Sequence, residues 1–406
     1  MQIHHGSTSL WVYNDRVLLF PYYPFLGPFG ESMMTNVLLL GAGKIGRMIA
    51  GFLAETGDYM VTVADSQSTA LARIKPCKAV DTLLLDATDR AALSRAMADR
   101  TIVISALSFR FNPLIAEVAL QTGASYFDLT EDVQTTRAVQ AVAEDAVVGQ
   151  IFMPQCGLAP GFISIIAMHL SRQFDSLESV RMRVGALPQY PTDALKYNLT
   201  WSTDGLINEY CNPCETIYRG KRIDSLPLEG LEHFSIDGAR YEAFNTSGGL
   251  GTLCDTLHDR VGSLNYKTIR YLGHRDLVAF LINDLQLGQR RELLKDILEH
   301  AVPVTFQDLV ITFCTVTGQR NGQLVQLSDA RKIYARQIEG EQWSAIQITT
   351  AAAICAVVDM HVASELPSQG FVRQEQVGFD DFIKNRFGRH YQSGQHPEFS
   401  DAGGTA

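Results

Sequence analysis

Residues 37–46 read VLLLGAGKIG, an apolar run that leads directly into a loop with three glycines. A short, wholly apolar run is typical of a parallel strand that is buried on both faces. In the loop, Gly41 allows a tight turn, Gly43 lets the backbone approach a pyrophosphate, and Gly46 allows the following helix to pack closely on the strand. The pattern predicts a dinucleotide-binding loop; a plain tight turn is the alternative.

A second predicted strand, residues 59–64, ends at Asp65, which lies 24 residues after Gly41. An acidic side chain at about this distance binds the ribose hydroxyls of NAD and repels the 2′-phosphate of NADP. No Arg or Lys follows before Arg73. The sequence therefore favours NAD over NADP, although Asp65 also suits an ordinary turn at the end of a strand.

Strands and helices then alternate regularly up to residue 153. Further strands are predicted at 82–85, 101–105, 125–127 and 150–153, and helices at 45–55, 90–98, 113–121 and 133–145. Such alternation predicts right-handed crossovers and a parallel sheet, whose ligands lie beyond the carboxyl ends of the strands. We therefore expect one ligand-facing edge built from the glycine loop, Asp65, Asp86, Ser105–Ser108, Asp128–Glu131 and Cys156–Gly161.

The pattern changes after Gly161. Strands are predicted at 179–185, 197–202, 233–236, 268–271 and 309–317, mixed with helices in no strict order. This mixture predicts an α+β domain that binds substrate and forms a homodimer. A long Ala-rich helix at 345–364 is expected to return to the first domain, because its small residues favour close packing.

The predicted fold class is thus α/β, with a Rossmann dinucleotide-binding domain at 36–160 that is completed by residues 345–392. The α+β domain occupies 161–344. Residues 1–35 show no helical or strand period and are interpreted as an arm or a non-native extension. Residues 393–406 are predicted to be a disordered tail.

The composition excludes several classes of partner. Lys and Arg number 34 against 44 Asp and Glu, which gives a formal net charge of −10. An acidic surface repels phosphate backbones and anionic lipids, so neither nucleic acid nor a membrane is expected as a partner. The seven cysteines are scattered and odd in number, which fits a reducing compartment rather than a disulfide framework. We expect a cytoplasmic protein that acts on a small molecule.

Several longer motifs resemble those of the saccharopine dehydrogenase-like oxidoreductases, and among these the lysine 6-dehydrogenases most. Besides the glycine loop they are CGLAPGF at 156–162, KYNLTWSTDGLINEY at 196–210, EAFNTSGG at 242–249, KTIRYLGH at 267–274 and QGFVRQE at 369–375. The resemblance implies NAD(P)-dependent oxidation of an amine-bearing carbon of an amino acid, with oxidation of the ε-amine of L-lysine to the semialdehyde as the first expectation. A saccharopine or carboxynorspermidine-type dehydrogenase, or a non-catalytic NAD(H)-binding regulator, are the alternatives.

Three residues are candidates for proton transfer. Asp128 and Glu131 lie on the expected ligand edge, where a carboxylate can accept a proton from a substrate ammonium. Their spacing also fits a helix capping box. His274, in a motif that carries the resemblance, has a solution pKa suited to proton transfer.

The substrate-binding candidates come from the same motifs. Arg270 can clamp a carboxylate in bidentate fashion, and Tyr197 and Trp201 can wall an apolar chain if they share one strand face. Short polar side chains complete the set: Ser202, Asn245 and Thr246. For the aromatic residues a place in the core, and for the polar ones a turn, are the alternatives.

The predicted cofactor-binding residues follow the carboxyl ends of the strands. They are Gly41, Gly43, Lys44, Ile45, Gly46, Asp65, Asp86, Ala106, Leu107 and Cys156, the last of which also fits a buried structural thiol. Cys211, Cys214, Cys254 and His258 have spacings that zinc sites use, but the separation of the two pairs is long for a zinc module. We expect no metal.

Overall fold

The computed structural model describes residues 8–13, 16–21 and 34–392. Thr8–Tyr13 (β1) pairs antiparallel with Arg16–Pro21 (β2). The prediction that residues 1–35 lack regular elements is therefore wrong for these two segments. Both segments are rich in β-branched, aromatic and leucine residues, which favour strands. The prolines that suggested an irregular arm begin only at Pro21, the last residue of β2.

Parallel strands build the first sheet, as the alternating pattern predicts. Its strands are β3 (Thr35–Leu40), β4 (Tyr59–Asp65), β5 (Val80–Leu84), β6 (Ile102–Ser105), β7 (Ser125–Asp128) and β8 (Ile151–Met153). The helices between them are α1 (Lys44–Glu55), α2 (Ser68–Leu71), α3 (Arg90–Met97), α4 (Asn112–Thr122) and α5 (Val133–Val142). The strand order is β5-β4-β3-β6-β7-β8, with every neighbouring pair parallel. This is the doubly wound Rossmann arrangement, and it confirms the predicted fold class.

A mixed sheet of eight strands follows. Its strands are β9 (Ser176–Pro188), β10 (Cys214–Tyr218), β11 (Lys221–Ser225), β12 (Glu232–Ile236), β13 (Ala239–Asn245), β14 (Val261–Tyr271), β15 (Asp308–Arg320) and β16 (Gln323–Tyr334). The helices are α6 (Phe162–Ser171), α7 (Thr203–Cys211), α8 (Leu253–Leu257), α9 (His274–Ala279) and α10 (Arg291–Ala301). The order is β11-β10-β14-β9-β15-β16, and β12 and β13 extend from β14. Only β9 and β14 run parallel among these described strands.

The predicted strand at residues 197–202 is wrong. These residues form a loop that leads into α7, because the side chain of Ser202 caps the helix by accepting a hydrogen bond from the N–H of Gly205 at 3.2 Å. Ser and Asp near a helix start are strong capping signals. The even spacing of Tyr197 and Trp201 therefore does not place them on one strand face.

The chain returns to the first sheet through a buried helix. After the short ribbon of β17 (Arg336–Ile338) and β18 (Glu341–Trp343), α11 (Ala345–Val362) begins with a capping box formed by Ser344 and Gln347. The side-chain amide of Gln347 donates to the carbonyl of Lys44, and the hydroxyl of Tyr59 donates to Asp359 at 2.7 Å. Within the described ranges, α11 alone has the length and composition of a membrane span, and most of it is buried inside the protein. The predicted return is confirmed.

The last elements complete the parallel sheet. β19 (Gly370–Phe371) pairs parallel with β8 and adds a seventh strand at the edge, and α12 (Phe379–Lys384) follows. One apolar core runs from β3 and α1 through α11 and α6 to β9 and β15. The two sheets are therefore joined by shared packing, and the proposed domain boundaries stay a prediction. The predicted tail at 393–406 lies outside the described residues.

The close approach of α1 to β3 gives a direct test with a matched control in the same helix. A Cβ on Gly46 would lie 1.9 Å from the carbonyl oxygen of Gly41, whereas a Cβ on Gly51 would meet no atom within 4 Å. Gly46→Ala should lower the free energy of unfolding by roughly 1–3 kcal/mol. Gly51→Ala should raise it by about 0.5–1 kcal/mol, since alanine favours a helix interior over glycine. Thermal unfolding of both variants checks this, and equal melting temperatures would contradict the packing described.

Candidate active site

A cavity of about 190 Å³ lies between the carboxyl edge of the parallel sheet and the mixed sheet. The first sheet contributes Ile45, Ala106–Phe109, Leu129–Glu131 and Gly157–Pro160, while the rest of the lining is Val184–Ala186, Trp201, Ser202, Glu209, Tyr266, Thr268, Arg270, Ile346 and Thr350. Every second residue of β14 from Tyr266 to Arg270 faces the cavity, as strand geometry requires. The ligand edge that the sequence predicts is thus covered by the second sheet.

The glycine loop has the shape that a dinucleotide requires. Gly41 has a φ of +107°, where a side chain would be strained, and a Cβ on Gly41 would also lie 2.9 Å from the carbonyl oxygen of Ala106. The Cα of Gly43 faces open space, so the backbone there is free for a pyrophosphate. α1 begins at Lys44 and directs its free N–H groups to the same place. These residues fit a bound dinucleotide.

Asp65 stands beside this loop. One carboxylate oxygen accepts a hydrogen bond from the N–H of Ala42 at 2.8 Å, and the other accepts from the N–H of Gln67 at 2.9 Å. The carboxylate is therefore fixed next to the loop, where the ribose of a dinucleotide lies. Asp86, at the end of the edge strand β5, is exposed and accepts hydrogen bonds from Thr88.

The loops after β6 and β8 complete the wall toward the nicotinamide position. Ala106 and Leu107 line the cavity, as predicted. Cys156 does not line it: its thiol is buried, donates to the carbonyl of Met153, and contacts the side-chain amide of Gln374 at 3.2 Å. Burial raises the pKa of this thiol well above its usual value. Its surroundings are those of a structural thiol, the alternative reading of the sequence.

Arg270 carries the positive charge of the cavity. Its guanidinium is buried and donates from Nε to the hydroxyl of Tyr210 and from Nη1 to the carbonyl of Ile269, both at 2.9 Å. The guanidinium also lies 4.8 Å from the centre of the Tyr197 ring. These contacts fix the cation in place and leave Nη2 toward the cavity, 4.0 Å from Glu209.

His274 lies behind this cation and does not line the cavity. Its Nε2 shares a hydrogen bond with the hydroxyl of Tyr210 at 3.0 Å, and its Nδ1 contacts the carbonyl of Leu195 at 2.7 Å. Burial and the neighbouring Arg270 lower the pKa of His274 to about 3. The neutral ring has one N–H donor, and both of its nitrogens contact protein groups. His274 therefore supports Tyr210, and its position does not favour the predicted proton transfer to a substrate.

The two predicted carboxylates occupy different places. Asp128 is fully buried behind the cavity wall and accepts hydrogen bonds from the hydroxyl of Tyr126 and the N–H groups of Thr130 and Gln155. Glu131 lines the cavity, and burial raises its pKa to about 7, opposed by its hydrogen bonds. Among the predicted carboxylates, Glu131 is thus placed to exchange a proton with a ligand.

The capping box proposed for Asp128 and Glu131 is wrong. α5 begins four residues later than that box requires, and Asp132 caps it by accepting a hydrogen bond from the N–H of Thr135 at 2.7 Å. Asp128 instead closes an Asx-type turn onto Thr130. Glu131 is therefore not required for the helix end.

Glu209 is a cavity residue that the sequence reading missed. It lies on α7, and burial raises its pKa to about 8, with Arg270 lowering and Glu131 raising it. It belongs to the motif at 196–210, so a signal was present. The sequence prediction contains a strand at 197–202 and no element over 203–211, whereas α7 directs residue 209 to the cavity.

The remaining substrate candidates divide into two groups. Trp201 and Ser202 line the cavity, and the indole N–H of Trp201 donates to the hydroxyl of Tyr197. Tyr197 is buried beneath Arg270 and supports it from outside the cavity. Asn245 and Thr246 do not line it: the amide of Asn245, the last residue of β13, donates to Ser225 and Leu226 at the end of β11.

The cysteine and histidine spacings do not produce a metal centre in the described part of the chain. No group of three His, Cys, Asp or Glu side chains converges within residues 8–13, 16–21 and 34–392. Cys211, Cys214 and Cys254 are free thiols, and His258 contacts its neighbour Asp259 at the surface.

Comparison with known proteins identifies the family. Residues 37–151 match the family model described as the saccharopine dehydrogenase NADP binding domain, and residues 157–389 match the saccharopine dehydrogenase C-terminal domain. Saccharopine dehydrogenase [NADP(+), L-glutamate-forming] of Saccharomyces cerevisiae is 30% identical over 210 residues, 49% of this chain and 45% of the relative. The mitochondrial alpha-aminoadipic semialdehyde synthase of Bos taurus is 19% identical over 389 residues, 89% of this chain and 40% of the relative. The chain thus spans less than half the length of these relatives.

A solved structure shares the fold. The apo saccharopine dehydrogenase (L-Glu forming) of Saccharomyces cerevisiae superposes with a TM-score of 0.71 at 17% sequence identity, over 84% of this chain and 94% of the other. At this identity the likeness concerns the fold. It covers both sheets and agrees with the two family models.

Proposed function

This chain belongs to the saccharopine dehydrogenase family of oxidoreductases, and we propose that it oxidises the amine-bearing carbon of an amino acid with a nicotinamide dinucleotide as acceptor. The family resemblance predicted from the motifs is confirmed by the two family models. The observation that supports the activity is the cavity at the ligand edge, which combines a fixed guanidinium with acidic side chains. Amine oxidation requires such groups to orient an amino acid and to remove a proton.

Within this class we propose L-lysine as the substrate and oxidation at the ε-carbon. Arg270 is the one basic residue of the described cavity lining, beside the acidic Glu131 and Glu209. The one guanidinium of the cavity can bind one substrate carboxylate, and the two acidic side chains can bind substrate amines. Lysine has this set of charges, whereas saccharopine carries further carboxylates on its glutamate-like arm that would meet Glu131 and Glu209.

The residues of the cavity have separate tasks in this reaction. Arg270 binds the substrate carboxylate, and Trp201 covers the aliphatic chain. Glu131 accepts a proton from the ammonium, because the amine must be neutral before the carbon can lose a hydride. A nicotinamide dinucleotide held by Gly41, Gly43 and the start of α1 would supply the hydride acceptor, so that the substrate would become an imine. Glu131 then holds the water that adds to the imine, and release of ammonia gives the semialdehyde.

We further propose that NAD is preferred over NADP. The carboxylate of Asp65 is held at the ribose side of the glycine loop, where it would repel a 2′-phosphate. The family model and the yeast relative carry NADP in their names. The local charge at Asp65 supports a different preference in this chain.

A saccharopine dehydrogenase is the second candidate, because the yeast relative bears that name. Purified protein should reduce NAD with L-lysine and release ammonia, and should show at least ~10-fold lower kcat/KM with saccharopine, since unpaired carboxylates are costly to bury. Absorbance at the wavelength of reduced nicotinamide measures both. Turnover of saccharopine but not of lysine would establish the second candidate instead.

Glu131 should control the pH dependence. Its raised pKa of about 7 predicts that kcat/KM for L-lysine rises as the pH passes through about 7, where the carboxylate becomes the proton acceptor. Glu131→Gln should remove the part of this rise near pH 7 and lower kcat by ~10²–10⁴-fold, the usual worth of a general base. The exposed Glu292→Gln is the control and should keep both. An unchanged profile in Glu131→Gln would exclude the assigned role.

The cofactor preference follows from one side chain. Asp65→Ser removes the carboxylate that repels the 2′-phosphate, so the ratio of kcat/KM with NAD to that with NADP should fall by at least ~10-fold. The wild-type protein should favour NAD by a similar or larger factor. Equal rates of the wild type with the two cofactors would show that Asp65 does not set the preference.

A further inference from the structure

Glu209 has a carboxylate that the protein itself leaves without a hydrogen-bond donor. Its side chain is only 9% exposed and lines the cavity. The nearest cation is Arg270, whose Nη2 lies 4.0 Å from Oε2, which is beyond hydrogen-bond distance. In the described part of the chain, no other donor reaches this carboxylate. A buried carboxylate is stable only when donors satisfy it, so the site is built for a donor that comes with the ligand.

The backbone at Glu209 is held by hydrogen bonds. The residue lies on α7, and its own carbonyl accepts a hydrogen bond from the N–H of Ser247 at 3.0 Å. The next residue, Tyr210, holds Arg270 through its hydroxyl. One helical turn therefore fixes the acid and the guanidinium next to each other at the cavity wall.

We propose that Glu209 and Arg270 form a clamp for the α-amino acid group of the substrate: Glu209 accepts hydrogen bonds from the α-ammonium while Arg270 binds the α-carboxylate. The clamp rests on the function proposed above, and it leaves Glu131, which also lines the cavity, for the reacting amine. The substrate class is then a diamino acid with one carboxylate. With both acids ionised, the cavity carries one negative charge in excess, which matches the excess positive charge of lysine.

The proton balance of this binding step is simple. Burial raises the pKa of Glu209 to about 8, so the empty site holds a proton there near neutral pH. When the α-ammonium enters, Glu209 releases that proton to solvent and the ion pair forms. The ammonium keeps all its protons and no covalent bond changes.

Substrate analogues test the clamp on the wild-type protein. 6-Aminohexanoate keeps the carboxylate and the reacting amine of lysine but lacks the α-amine. Its kcat/KM should be ~100-fold lower than that of L-lysine, mainly through KM, because a site built to bind a polar group rejects the analogue without it. Values within ~3-fold of each other would overturn the clamp. Failure of L-lysine itself to react would overturn the proposed function, and the clamp with it.

A variant of Glu209 then tests whether this residue causes the preference for lysine over 6-aminohexanoate. Glu209→Gln should raise KM for L-lysine by ~100-fold while kcat/KM for 6-aminohexanoate stays within ~3-fold of the wild type. The exposed Glu144→Gln is the matched control and should keep the preference for lysine. Equal loss on both substrates would show that Glu209 only supports the fold, and would overturn the proposal.

Discussion

The candidate site depends on one buried cation. Arg270 lies in the interior, where an unpaired charge is costly, and its position is set by neighbours that compensate for this cost. The hydroxyl of Tyr210 and the carbonyl of Ile269 accept from it, and the ring of Tyr197 lies beneath it. The neutral His274 orients Tyr210 without adding a second positive charge. The Nη2 of Arg270 lies 4.0 Å from Glu209, and both residues line the cavity.

The fold places this cation in the cavity between the two sheets. Parallel strands collect the glycine loop, the loop after β6 and Glu131 at one edge, and β14 and α7 of the mixed sheet cover that edge. α11 fixes the two sheets together, since it packs beside α1 and lines the cavity at Ile346 and Thr350. Arg270 and Glu209 are buried there, and charges interact more strongly in such surroundings than in bulk water.

The sequence predicted those parts of the fold that depend on short-range patterns. Buried parallel strands and the glycine loop are local signals, so the Rossmann sheet and its ligand edge are confirmed. On the mixed sheet, the residues that line the cavity are decided by which face of each strand or helix points inward. A single sequence does not contain that information. His274 and Asp128 have suitable chemistry but lie behind the wall. Glu209 was missed because no helix was predicted over residues 203–211, where α7 lies. Arg270 was found through the motif that contains it, not through its spacing.

A crystal structure with NADH and L-lysine bound together tests the central claim most directly. We expect the α-carboxylate of lysine within about 3 Å of the Arg270 guanidinium, with the side-chain amine beside Glu131 and facing the nicotinamide. A lysine whose carboxylate binds elsewhere, with Arg270 in contact only with protein, would contradict the account.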